Sequence, residues 1–232
     1  MMSKKSFIAI TVAALLPITC YFLLKYYGNR AVVMPSRYFY DTVVTKNDYG
    51  RSTTDTIWHQ VRNFTLTNQL GKKVELNDLH GKIIVADFFF TSCPDICPIL
   101  TKNMKKLQDA FNKTDTIVRF VSFTIDPKRD SVPRLKAYAD KHGIDPDTWW
   151  LLTGNRDEIY DIAKNEFKAS IADSNLDTSF IHTQYFFMLD KDRVLRGWYD
   201  GLDSVNLNHL ADDIVLLMLE RDKTKKRGLF GR

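Results

Sequence analysis

The stretch Lys82 to Phe90, KIIVADFFF, constrains the fold of this chain more than any other segment. Its apolar run is nearly continuous and rich in β-branched and aromatic residues, so it reads as a strand buried on both faces. The segments around it alternate in type. Upstream, Phe64 to Thr67 and Val74 to Leu76 show strand alternation about Asn68-Gln69-Leu70-Gly71, which predicts a hairpin. Downstream, Ile99, Leu100, Met104, Leu107, Ala110 and Phe111 fall at helical spacing within Pro98 to Asn112. Ile117 to Ile125 is a second strand, Val132 to His142 a helix and Trp149 to Leu152 a short strand. Asn155 stands where it can cap a helix running to Lys164. Gln184 to Leu189 and Val194 to Tyr199 flank a polar turn as a second hairpin, and Val205 to Glu220 is a closing amphipathic helix. This order predicts an α/β fold: a central mixed sheet flanked by helices, with an added hairpin at its amino-terminal side.

The chemistry gathers where the first buried strand ends. Thr91-Ser92-Cys93-Pro94-Asp95-Ile96-Cys97-Pro98 puts two cysteines four apart at a strand-to-helix junction, where open α/β sheets place their ligand sites. Four residues is about one helical turn, so a turn reaching back to Cys93 turns both sulfurs to one side. Backbone N–H groups at a helix start favour thiolate and are expected to lower the cysteine pKa. Thiolates are both redox nucleophiles and soft ligands for Cu(I) or Zn. Buried structural cysteines or a static disulfide are the plainer readings, but neither accounts for two prolines and an acid around the pair. A metal needs a further donor, and His182, just before the strand Gln184 to Leu189, is the candidate. His59, His80, His142 and His209 stand beside no comparable feature and are read as structural or solvated.

Together, the strand, C-x-x-x-C-P, Asp126-Pro127-Lys128-Arg129-Asp130 after the next strand, and His182 before the final hairpin resemble the Sco (SenC) family over residues 60–221. These are membrane-anchored, thioredoxin-like copper proteins. The resemblance implies a thioredoxin-like fold and copper, Cu(I) or Cu(II), held by Cys93, Cys97 and His182. It further implies a metallochaperone role: delivering copper to the dinuclear copper site of cytochrome c oxidase, or reducing that site's cysteines. The partner is then the copper-receiving oxidase subunit or another copper chaperone. Two departures stand out. Family members often carry an acid just before the histidine, whereas here Phe180-Ile181 precede His182, so an orienting carboxylate has to come from elsewhere. Asp95 is retained within the cysteine motif, and Asp130 or Ser131 reads first as a helix cap and second as a partner contact. The rival function is a thiol-disulfide oxidoreductase in which Cys93 and Cys97 form a metal-free redox pair. Thioredoxin-type reductases use C-x-x-C and a cis proline; this motif has one residue more, and 179–184 contains no proline.

Ser6 to Leu24 carries no charge over nineteen residues, after Lys4 and Lys5 and before Lys25. A helix of that length spans about one hydrocarbon core, and the leading lysines favour a cytoplasmic amino terminus. The expectation is a single-pass anchor in the cytoplasmic membrane with the remainder outside the cytoplasm. A cleaved signal peptide and a lipidated Cys20 are the alternatives; both leave the domain exported. The formal net charge of +5 invites a nucleic-acid reading, which its distribution excludes. Residues 1–40 sum to +5 and 221–232 to +5, leaving −5 for 41–220, the wrong sign for phosphate neutralisation. The predicted organisation is an anchor at 1–27, a tether at 28–58, the copper-binding domain at 59–221 and a basic tail at 222–232.

Overall fold

A computed structural model of the chain describes residues 4–31, 33–48, 51–112, 117–169 and 184–220. The chain divides into two compact units, Met1–Met34 and Pro35–Arg232. In the first, Lys4–Ala31 form one helix of 28 residues, α1. The Thr19 hydroxyl donates back to the Leu15 and Leu16 carbonyls, each at 3.0 Å. Among the described residues no helix is long and apolar enough to cross a membrane.

The second unit opens with a hairpin of β1 (Tyr40–Asp48) and β2 (Arg51–Trp58), paired antiparallel from Tyr40 with Trp58 to Asp48 with Arg51. The sequence predicts only a tether over this stretch. The difference has a physical source: most of the described hairpin residues are exposed, so main-chain pairing rather than an apolar face holds it, and polar Thr-rich strands leave no hydrophobic period.

The main sheet comprises β3 (Thr65–Asn68), β4 (Lys73–Glu75), β5 (Ile83–Phe89), β6 (Val118–Thr124), β7 (Trp149–Thr153), β8 (Tyr185–Leu189) and β9 (Leu195–Asp200). Their order across the sheet is β4-β3-β7-β6-β5-β8-β9. The three central strands are parallel, while the β3–β4 and β8–β9 hairpins join antiparallel at the two sides. In the β3–β4 turn, Asn68 Oδ1 accepts from the Leu70 and Lys72 amides at 3.0 Å each, and Gly71 takes φ +77°, a conformation that only glycine adopts without strain.

Helices α2 (Ile96–Asn112) and α3 (Val132–His142) follow β5 and β6; α4 (Arg156–Asp161), continued by a π turn at Ile162–Glu166, follows β7; α5 (Ser204–Leu219) is the last element among the described residues. Asn155 caps α4 as expected, accepting from Asp157 N at 2.8 Å and Glu158 N at 3.3 Å. Every residue of β5 is buried, and its neighbours explain why. Phe89 lies 5.5 Å from the Tyr138 ring of α3, whereas Phe88 lies 5.6 Å from Phe167, just after the π turn. Successive strand residues point to opposite faces, so α3 and the α4 region cover opposite sides of the sheet. On the Phe88 side, Phe64, Phe123, Phe167 and Phe187 complete an aromatic cluster with centroids 5.3–5.9 Å apart. This mixed sheet with helices on both faces is the expected architecture.

Candidate functional site

Strand β5 runs out at Phe89, and the chain turns at once into the cysteine motif. Cys93 N donates to Phe90 O at 3.2 Å, closing a tight turn at the strand end. Cys97, in the first turn of α2, donates its amide to Cys93 Sγ at 3.4 Å. The two cysteines therefore lie on one turn, as their spacing predicts. Both are free thiols, with exposures of 6% at Cys93 and 3% at Cys97, while Pro94 and Asp95 between them are exposed. The helix begins at Ile96, two residues before the predicted start at Pro98.

The expected fall in cysteine pKa does not hold for Cys97. Burial and the adjoining Cys93 thiol push the Cys97 thiol well above its ordinary value, against a smaller opposing hydrogen bond at the Phe90 backbone. Removing a thiolate from water costs more than the helix start returns. Cys97 is thus a thiol at neutral pH, and a metal must displace its proton.

Asp130 corrects a second expectation. It is fully buried and caps nothing; Ser131 occupies the N-cap position of α3 without a side-chain hydrogen bond. The Asp130 carboxylate instead accepts from Thr91 N at 3.0 Å, Thr91 Oγ1 at 2.5 Å and Thr124 Oγ1 at 2.5 Å. Arg134 Nε donates to Thr91 Oγ1 at 2.8 Å and stands 3.9 Å from the carboxylate. One buried carboxylate thereby ties the ends of β5 and β6 to the start of α3, two residues ahead of Cys93. Asp126, the other acid of that segment, lies 3.6 Å from Arg129.

Beneath the motif, Asp87 interrupts an otherwise apolar strand. It is 2% exposed, and among the described residues its Oδ1 has no hydrogen-bond partner. Burial pushes its pKa up to about 7, a hydrogen bond with Ser122 opposing the rise. Ser122 also receives the Trp149 indole N–H at 2.8 Å. Tyr138 completes this side: its hydroxyl is 2.7 Å from that of Thr101, and burial raises its pKa. Sequence reasoning did not single out Asp87, Thr91 or Tyr138; the lone acid inside KIIVADFFF was the visible signal for the first.

His182 lies outside the described residues. The next described strand, β8, runs antiparallel to β5, with Ala86 paired to Phe187 and Ile84 to Leu189. Continued, that register sets Tyr185 level with Phe88, so the chain enters β8 at the end of the sheet where β5 leaves for the cysteines. Among the described residues no three His, Cys, Asp or Glu side chains group to hold a metal. Of the other histidines, His59 Nδ1 is 2.8 Å from Asp41 and its Nε2 3.3 Å from Glu166. The His142 ring packs 4.4 Å from Tyr138, and His80 and His209 are exposed.

A mixed sheet with two free cysteines at the junction of a central strand and its helix defines a thioredoxin-like dithiol protein. The chain belongs to the SCO1/SenC family, whose model matches residues 53–218. Among solved structures, a SCO1/SenC family lipoprotein from Bacillus anthracis is 34% identical with a TM-score of 0.63, over 69% of this chain and 95% of that one. BsSco, described as having a disulfide switch and as a member of the Sco family of cytochrome c oxidase assembly proteins, is 32% identical with a TM-score of 0.62, over 71% and 96%. Bradyrhizobium japonicum ScoI, solved with copper bound, is 25% identical with a TM-score of 0.55, over 67% and 98%.

Proposed function

We propose that this chain is a membrane-anchored copper chaperone that carries its cargo on Cys93, Cys97 and His182 and delivers it to the dinuclear copper site of cytochrome c oxidase. The observation that carries the reading is the Cys93–Cys97 turn. Two free cysteines share one helical turn, with Cys97 N on Cys93 Sγ at 3.4 Å, in a family with a copper-bound member. Two soft sulfur donors suit Cu(I), and an imidazole extends the set to Cu(II). The entry of the chain into β8 beside the end of β5 supports His182 as the third donor. Three donors leave one side open for a recipient's ligands.

Anchoring has its support in the uncharged run at 6–24, which falls within the helix Lys4–Ala31 behind two lysines. In this reading the unit from Pro35 onward, which includes the β1–β2 hairpin ahead of the domain 59–221, is extracytoplasmic, and 222–232 is a basic tail. A lipoprotein relative is consistent with membrane attachment.

The test is titration of the full-length chain in detergent with Cu(I) and Cu(II), repeated for Cys93→Ser, Cys97→Ser and His182→Ala. Loss of Cu(I) binding in the cysteine variants and an altered Cu(II) spectrum in His182→Ala are expected. An unchanged spectrum in His182→Ala overturns the three-donor site.

The same turn supports a second reading. Adjacent thiols can exchange with a partner's disulfide: the pair gives up two electrons and two protons, Cys93 and Cys97 join in a disulfide, and the partner's cysteines become free thiols. Turnover of a disulfide substrate by the copper-free chain favours this reading; the high pKa of Cys97 weighs against rapid attack from that sulfur.

A further inference from the structure

A groove of about 400 Å³ runs along the outer side of α2, beginning at Pro98, the residue after Cys97, and bounded across by the end of α3. Lys102, Lys105 and Lys106 line it from α2 and Lys141 from α3, against a single carboxylate, Asp109. Asp109 is itself paired with Lys105. Asp140, beside Lys141 on α3, is answered by Lys136 at 2.5 Å. His142 adds no charge at neutral pH, because burial and the neighbouring Lys141 hold its pKa below the ordinary value. The groove thus carries an excess of three positive charges within a stretch, 41–220, that sums to −5.

Its place beside the cysteines gives this charge a use. A protein that takes metal from Cys97 must bring its own ligands to that sulfur, and a specific interface covers about 800 Å² on each partner. A footprint of that area reaches roughly 16 Å from its centre. Lys102 and Lys106 follow Cys97 by five and nine residues, about 7.5 and 13.5 Å along a helix rising 1.5 Å per residue. Along the helix axis, a recipient centred on the cysteines reaches as far as Lys102 and Lys106.

We propose that this groove is the docking surface for the copper-receiving protein, which presents an acidic face to Lys102, Lys105, Lys106 and Lys141. This rests on the copper-delivery reading above and deepens it by naming where the recipient sits and the charge it carries. Complementary charge here speeds encounter and sets orientation, and it weakens as salt rises.

The experiment measures binding of the full-length chain, in detergent, to the purified copper-site domain of the recipient oxidase subunit, at low and high salt. The double variant Lys102→Glu and Lys106→Glu is compared with Lys72→Glu and Lys73→Glu, at the β3–β4 edge of the sheet. The expected result is association slowed about tenfold or more in the α2 variant at low salt, a smaller difference at high salt and no change in the control. Cu(I) affinity, measured separately, stays the same in all of them, so loss of metal binding and loss of docking are told apart. No binding by the parent chain, or equal binding by the α2 variant, overturns the proposal. So does a defect seen only with vesicles of phosphatidylcholine and phosphatidylglycerol, which would make the groove a lipid contact instead.

Discussion

Asp130 holds Thr91 by both of its hydrogen-bond donors, the backbone amide at 3.0 Å and the hydroxyl at 2.5 Å, across 39 residues of sequence. The carboxylate is fully buried, with its charge met by these hydrogen bonds, a third from Thr124 and the nearby Arg134. Removing it leaves the donors of Thr91 and Thr124 unsatisfied at the base of the cysteine turn. Asp130→Ala is expected to cost about 3–5 kcal/mol, read from the denaturation midpoint. Thr91→Val, which keeps the amide bond and loses the hydroxyl, should cost about 1–2 kcal/mol. Equal losses in the two variants would contradict this ordering.

Asp87 makes stability depend on pH in a direction opposite to that of a paired carboxylate. Its folded-state pKa is raised from 3.8 to about 7, so between these values the native state holds a proton that the unfolded chain has released. Its contribution is most favourable below pH 4 and is lost as pH rises towards 7. The three-unit shift corresponds to about 4 kcal/mol as an upper limit. Asp87→Asn should flatten the stability profile between pH 4 and 7 and be the more stable protein at pH 8, about one unit above the folded-state value. An unchanged slope in that variant would place the pH dependence elsewhere.

The raised pKa of Cys97 couples metal uptake to proton release. Because its thiol is protonated at neutral pH, Cu(I) binding should liberate at least one proton per copper, and apparent affinity should rise about tenfold per pH unit for each proton displaced. Calorimetric titration in buffers of different ionisation enthalpy counts that proton. Binding without release would mean that Cys97 is already ionised.

Arg196 is a structural counterpart away from the cysteines. Only 3% exposed, it bonds Asp190 at 2.9 Å, Glu220 at 2.8 Å and the Pro35 carbonyl at 2.7 Å, joining β9, the end of α5 and the start of the unit. Arg196→Ala strands a buried carboxylate and is expected to destabilise the fold by about 3–5 kcal/mol while leaving Cu(I) affinity per folded molecule unaltered. A drop in that affinity would tie this network to the site.

Much of this molecule is legible in local pattern. The apolar run over Lys82 to Phe90 becomes the fully buried β5, the helix expected at Val132 to His142 has those ends, and both sheet hairpins form where alternation and turn residues place them. The cysteine turn was legible too, because a spacing of four and a helix start are local facts. The β1–β2 hairpin was not: its polar strands are joined by backbone pairing, which leaves no hydrophobic period to read.

By itself, then, the sequence determined the order of strands and helices, the presence of two thiols at a strand end and the family to which that pattern belongs. All three follow from the residue types along a few turns of chain. Only the tertiary structure decided what those residues experience. Asp130 or Ser131 is the expected cap of α3; Ser131 takes the N-cap position, while Asp130 grips Thr91 and Thr124, since its partners arrive from two other elements. Cys97 was expected to be a low-pKa thiol at a helix start, but the packing around it removes the water that a thiolate needs. Desolvation depends on every neighbour in space, and sequence spacing carries no record of those.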